Sequence, residues 1–138
     1  MTKMGTVIRK GSIPRDGDHS GVGGILTYDS VRISGWNVTS DMWLSGYFHH
    51  GYADDRVRIK TIDSANKTIE TVDPTFYGFV NKAAWNKWYA LNVKEELDTI
   101  AEYFIDRSNG DLFFMAENKD FETIKLSMLE SPFITMDR

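Results

Sequence analysis

The sequence predicts an all-β fold, a β-sandwich or jelly-roll-like single domain over residues 1–138, and three observations carry that reading. The stretch Arg56 to Ile62, RVRIKTI, places Val57 and Ile59 on one side and Arg56, Arg58 and Lys60 on the other, the period of two that marks a half-buried strand. Asn109-Gly110 stands between two apolar runs, and Asn-Gly tolerates the positive φ angles that hairpin turns require. Roughly seven short strands separated by turn residues then favour two packed sheets over a helical fold.

In chain order, residues 11–24 read GSIPRDGDHSGVGG, too rich in Gly, Asp and Ser for regular structure, and predict a long loop. Ile25 to Ile33 alternates loosely and fits a strand with an Asp29-Ser30 turn or bulge in its middle. Asp41 to Tyr52, DMWLSGYFHHGY, is dense in aromatic and β-favouring residues and predicts a strand. Asp63 to Asn66 supplies turn residues between the 56–62 strand and Lys67 to Val72, giving a hairpin. Trp85, Trp88, Tyr89 and Val93 fit either a helical stripe or a short buried strand, and local pattern leaves both open. Asn92 followed by Glu95 has the logic of a capping box and predicts one short helix over 93–97. Glu102 to Met115 predicts a hairpin turning at Asn109-Gly110, and Phe121 to Leu129 a last strand closed by Pro132.

Composition bounds the function. The chain has 138 residues with 41% hydrophobic and 26% charged, enough for one domain with its own core and no covalent staple. It has no cysteine, which excludes disulfides, thiolate metal sites and a cysteine nucleophile. A net charge of −4 has the wrong sign for a phosphate backbone, so nucleic acid is not an expected partner. No apolar run is long enough to span a bilayer, so neither is a membrane.

Two stretches carry a resemblance: Trp43 to Ile69, WLSGYFHHGYADDRVRIKTIDSANKTI, and Trp88 to Phe114, WYALNVKEELDTIAEYFIDRSNGDLFF. Both resemble segments of the β-sandwich region inserted near the start of bacterial right-handed parallel β-helix proteins, β-xylosidase-type glycoside hydrolases among them. The chain departs from that pattern with Ile100-Ala101 where Pro-Gly is usual and Met115-Ala116 where Tyr-Pro is usual. Leu126 to Arg138 looks like the passage from such a sandwich into its β-helix. The resemblance implies an excised piece or a short relative of a larger β-helix protein, with the catalytic carboxylates on a β-helix expected C-terminal to Arg138. It therefore implies an accessory domain without activity of its own, flanking a carbohydrate cleft. The alternatives are a free-standing carbohydrate-binding module and, last, an autonomous small glycosidase. The expected compartment is the cytoplasm if the chain is complete and the exterior if a parent protein is secreted.

Aromatic rings cover the apolar face of a pyranose while neighbouring polar groups bind its hydroxyls, and aromatics make up 13% of the chain. Trp36, Tyr47, His50, Tyr52, Asp54 and Asp55 are the candidate carbohydrate contacts. Trp43 and Trp88, inside apolar runs, fit a core role; Trp85 is a further aromatic that could face sugar. Asp54-Asp55, Glu95-Glu96 and Asp16/Asp18 supply acidic pairs, but pairs arise by chance among twenty acidic residues, so no catalytic residue is assigned. His19, His49 and His50 with those aspartates raise the question of a metal; neighbours on a strand point to opposite faces, and neither a metal nor any cofactor is expected.

Overall fold

A computed structural model of the chain describes residues 2–14, 21–81 and 83–117 and the single positions 123 and 125. Among these residues there are nine strands: β1 (Thr2–Lys3), β2 (Val7–Arg9), β3 (Ile25–Thr27), β4 (Trp43–Gly46), β5 (Asp55–Asp63), β6 (Thr68–Thr71), β7 (Lys87–Leu91), β8 (Tyr103–Asp106) and β9 (Asp111–Phe114). Seven form one antiparallel sheet in the order β1-β7-β4-β5-β6-β3-β2, and β8-β9 form a separate hairpin. The fold is all-β and sandwich-like, as the alternation and turn signals predict.

The long strand β5 turns one sheet into two layers. Its first half pairs with β4, and from Ile59 onward it pairs with β6. Between Ile59 and Thr61 the register slips, so Lys60 and Thr61 are both exposed. A bulge bends a strand and increases its twist. It also changes parity: Val57 and Ile59 face the core before the slip, and Ile62 packs against it after. The bent halves bring Leu26 and Ile69 from β3 and β6 against Leu44, Val57 and Trp88 from β4, β5 and β7 in a single cluster. Phe48 and Phe79, 4.8 Å apart, belong to the same core.

The described ends of the 11–24 segment form no regular strand and are tied to the sheet. Ile13 donates to the Thr75 carbonyl at 3.0 Å, Thr75 to that of Gly11 at 2.9 Å, and Gly24 to the Thr71 hydroxyl at 2.8 Å. In the ambiguous 85–93 stretch the strand wins. β7 pairs on both sides, with β4 and with β1, and puts Trp88 in the core at 1% exposure with Tyr89 on the opposite, outward face.

Four expectations change. Of the strand expected over 25–33 only β3, Ile25–Thr27, forms, and the chain passes into the 3₁₀ turn Arg32–Gly35. The strand expected over 41–52 is only β4, Trp43–Gly46; beyond it the chain turns, with Ala53 donating to the His50 carbonyl at 3.2 Å. The helix expected over 93–97 is a single 3₁₀ turn, Lys94–Glu96, whose cap position is held by Val93 without a side-chain bond. Asn92 cannot act as the expected cap because it sits in the left-handed region (φ 55°), with its side chain bonded to both the N–H and the C=O of Ile105 at 2.8 and 2.9 Å. Glu95 meanwhile accepts from Asn37 instead of closing a capping box. The β8–β9 hairpin forms as expected, but its register, Asp106 opposite Asp111, leaves a four-residue connection instead of a two-residue turn. Gly110 alone takes positive φ (84°), donating to the Asp106 carbonyl at 2.8 Å, while the Asn109 carboxamide is bonded to Asp111. The strand expected over 121–129 and the Leu126 to Arg138 passage lie outside the described residues, apart from Thr123 and Lys125; so do Asp16, Asp18 and His19.

Candidate functional site: an aromatic corner

The sheet pairing of β4 ends at Gly46, and the chain then turns at residues 50–53, with Ala53 donating to the His50 carbonyl. Trp85 donates its indole N–H to the His49 carbonyl at 2.9 Å. Its ring lies over Gly51, where a Cβ would come within 3.0 Å of it. A side chain at Gly51 would make the Trp85 ring give by a few tenths of an ångström. Two residues apart across that turn, the His50 and Tyr52 rings stack at 5.1 Å with 8° between their planes. Tyr77 meets His50 edge-on at 4.8 Å, and Phe76 meets Tyr77 edge-on at the same distance. Tyr52 is 78% exposed, and Trp85 and Phe76 each 49%. Contiguous exposed aromatic surface of this kind marks a contact site more often than an isolated exposed ring does.

Asp55 anchors the second half of this corner. One carboxylate oxygen accepts from the Arg56 amide at 2.7 Å and the other from the Phe76 amide at 2.8 Å. It holds the 75–78 segment beside the turn. Asp54, by contrast, is exposed and has no hydrogen bond among the described residues. Both aspartates line a small pocket of about 190 Å³ with Phe48, His49, Phe76 and Tyr77. Burial, then repulsion from His50 and Lys10, holds the His49 imidazole below its ordinary range against an opposing pull from the backbone of Tyr77 and Gly78. His49 and His50 lie 4.2 Å apart by ring centroid, yet no three His, Asp or Glu side chains converge among the described residues to hold a metal ion.

The structure thus brings together His50, Tyr52, Asp54 and Asp55 of the expected contacts, and places Trp36 elsewhere. Trp36 follows the 3₁₀ turn Arg32–Gly35, packs edge-on to Trp88 at 6.5 Å and gives its indole N–H to Glu96 at 2.8 Å. It is half-buried and its polar atom is committed, so it is a flank of the core. Tyr47 is also half-buried, its amide bonded to the Lys87 carbonyl at 3.1 Å. The sequence reading missed Phe76 and Tyr77. Their signal was an aromatic pair set between Pro74 and Gly78, a turn context that exposes rings.

None of the family models, curated proteins or solved structures compared with this chain matches it. The geometry alone must carry a functional reading.

Proposed function

We propose that this chain is a non-catalytic, carbohydrate-contacting β-sandwich domain, accessory to a β-helix protein of the glycoside hydrolase type. The observation that carries the reading is the ring surface of exposed Tyr52 and Trp85 with half-buried His50, on a turn closed by the Ala53–His50 backbone bond and by the Trp85 indole. Rings fixed in advance stack on a pyranose without an added ordering cost, and the uncommitted Asp54 carboxylate beside them can accept hydroxyl hydrogens. Asp55, with both oxygens engaged by backbone amides, serves the site by holding Phe76 in place.

A bare apolar face elsewhere supports the accessory role. Leu112 and Phe114 lie on one face of β9, outside the groove lining, and both are exposed. The other face packs inward, with Phe104 against Phe113 and the Lys94 ammonium 4.5 Å from the Phe113 ring centre. A hairpin with one face left uncovered is suited to contact with a neighbouring domain. A free-standing carbohydrate-binding module is the second reading, and the aromatic corner favours it equally.

Titration with xylo-oligosaccharides, followed by NMR, tests the proposal. A single platform without an opposing wall recovers few contacts, so binding at about millimolar strength is expected. Shifts are expected at the corner, on Tyr52, His50 and the Trp85 indole, and these corner shifts should vanish in Tyr52→Ala. Micromolar affinity would favour the free-standing module. Absence of shifts at the corner would overturn the carbohydrate reading. Hydrolysis of aryl xylosides that survives purification and is lost in Asp54→Asn would overturn the non-catalytic one.

A further inference from the structure

A second, larger concavity of about 650 Å³ lies on the outward face of the sheet, within the roughly 300–1,000 Å³ typical of small-ligand sites. Its floor is β4, β5 and β7, where Trp43 stands opposite Leu91 and Ser45 stands opposite Arg56. Its far wall is the segment from Leu97 to Arg107, including the 62% exposed Tyr103. Asp55 and Arg56 are consecutive on β5 and so point to opposite faces; Asp55 belongs to the aromatic corner and Arg56 to this groove. The two sites share a strand and no lining residue.

Asp41 organises the groove. One oxygen accepts from the Trp43 indole N–H at 3.0 Å; the other accepts from Asn92 at 3.1 Å and from Arg107. Trp43 is thereby fixed in orientation, while the Arg58 guanidinium, which does not line the groove, approaches its ring centre at 5.8 Å. The charges on the lining are largely committed. Asp41 is neutralised by Arg107 and Glu96 by Arg32, and Glu102 accepts from the amides of Asp98 and Thr99. Arg56 differs. Among the described residues Arg9, Arg32, Arg58 and Arg107 each hold a carboxylate, and Arg56 holds none.

The geometry points to this groove as a second binding site, for a neutral oligosaccharide, with Trp43 and Tyr103 as stacking surfaces and Arg56 donating to vicinal hydroxyls. A planar fork of donors reads two adjacent oxygens, and hydroxyls both accept from guanidinium and donate to carboxylate, which suits a lining that carries both charges without a strong excess of either. A highly charged ligand would meet like charge at Glu96 and Glu102 or at Arg56 and Arg107. The assignment shares its ligand class with the aromatic corner but none of its residues.

The test is titration of the intact chain with xylohexaose and cellohexaose, and separately with a hexaglutamate peptide, reading the Trp43 and Trp85 indole N–H signals together. Saturable movement of the Trp43 signal by one of the sugars, unchanged between low and high salt, is expected. Arg56→Gln, an exposed substitution, should weaken that binding about tenfold, the effect of losing hydrogen bonds from a charged donor. Tyr52→Ala should leave it intact, which separates failure at the corner from failure here. Salt-sensitive movement of Trp43 by the peptide would overturn the assignment in favour of an acidic polypeptide, and a silent Trp43 signal with both sugars would overturn it outright.

Discussion

The aromatic corner and the groove differ in how they are held. The corner is centred on one turn: residues 49–55 supply His50 and Tyr52, and Trp85, Phe76 and Tyr77 dock against it through the His49 carbonyl and the Asp55 carboxylate. The groove is assembled from Asp41 and Trp43, Asn92, and Ile105 and Arg107, three segments far apart in sequence joined by one network of side-chain bonds. A site built by a turn should survive loss of any one polar group. A site built by a network should not, because each member removed leaves its partners unsatisfied.

Asn92 tests that contrast hardest. Asn92→Ala strips three hydrogen bonds, leaves the Ile105 backbone unpaired and puts a Cβ-only residue at positive φ, so a loss of about 2–3 kcal/mol is expected in the urea midpoint. The β8–β9 amides should exchange faster while the Trp85 indole signal stays put. If Trp85 moves as much as the hairpin does, the two regions are coupled and the distinction fails.

Gly110 probes the hairpin wall alone. No heavy atom lies within 4 Å of a Cβ placed there, so Gly110→Val acts purely through its φ of 84° and should cost about 1 kcal/mol or more. An unchanged midpoint would refute the left-handed assignment. At the corner, Gly51→Ala pushes a methyl against the Trp85 ring and should change stability by no more than about 0.5 kcal/mol. Its signature is the Trp85 indole N–H losing its bond to the His49 carbonyl, seen as an upfield shift.

The smallest effect is the pH dependence, and it also separates the regions. The unfolded chain protonates His49 near pH 6.5, whereas the native imidazole is held lower by burial and by His50 and Lys10. The stability it contributes is whole above about pH 6.5 and is lost as pH falls through the native value. Asp41 behaves differently: burial tends to raise its carboxyl, but hydrogen bonds from Trp43 and Arg107 and the Arg107 charge bring it below the ordinary aspartate range. Its contribution is whole above about pH 4 and declines only below that. Urea midpoints measured between about pH 7.5 and pH 5.5 should therefore fall slightly in the parent and less in His49→Gln. An equal decline in both would remove His49 as the cause.

The amino-acid sequence by itself determined the all-β class, the 56–72 and 102–115 hairpins and the exposure of part of the stretch around His50 and Tyr52, though not the turn that displays them. Each of these follows from neighbours a few residues apart: alternation, turn residues, and glycines among aromatics that no buried strand accommodates. It also held a mark of the bulge, since Val57 and Ile59 are odd-numbered while Ile62 is even, although only the pairing with β6 shows where the extra residue sits. Tertiary structure decided the rest. Asn92 and Glu95 have capping chemistry, but Ile105 and Asn37 offer partners that the local chain does not, and the helix yields to a 3₁₀ turn. Trp88 and Trp85 are three residues apart and similar in local setting, yet pairing of β7 with both β1 and β4 buries one, and the His49 carbonyl holds the other over the corner. The groove left no trace in the sequence at all, because its floor and wall meet only when the sheet and the β8–β9 hairpin are in place, and hydrogen bonding between distant side chains has no period to read.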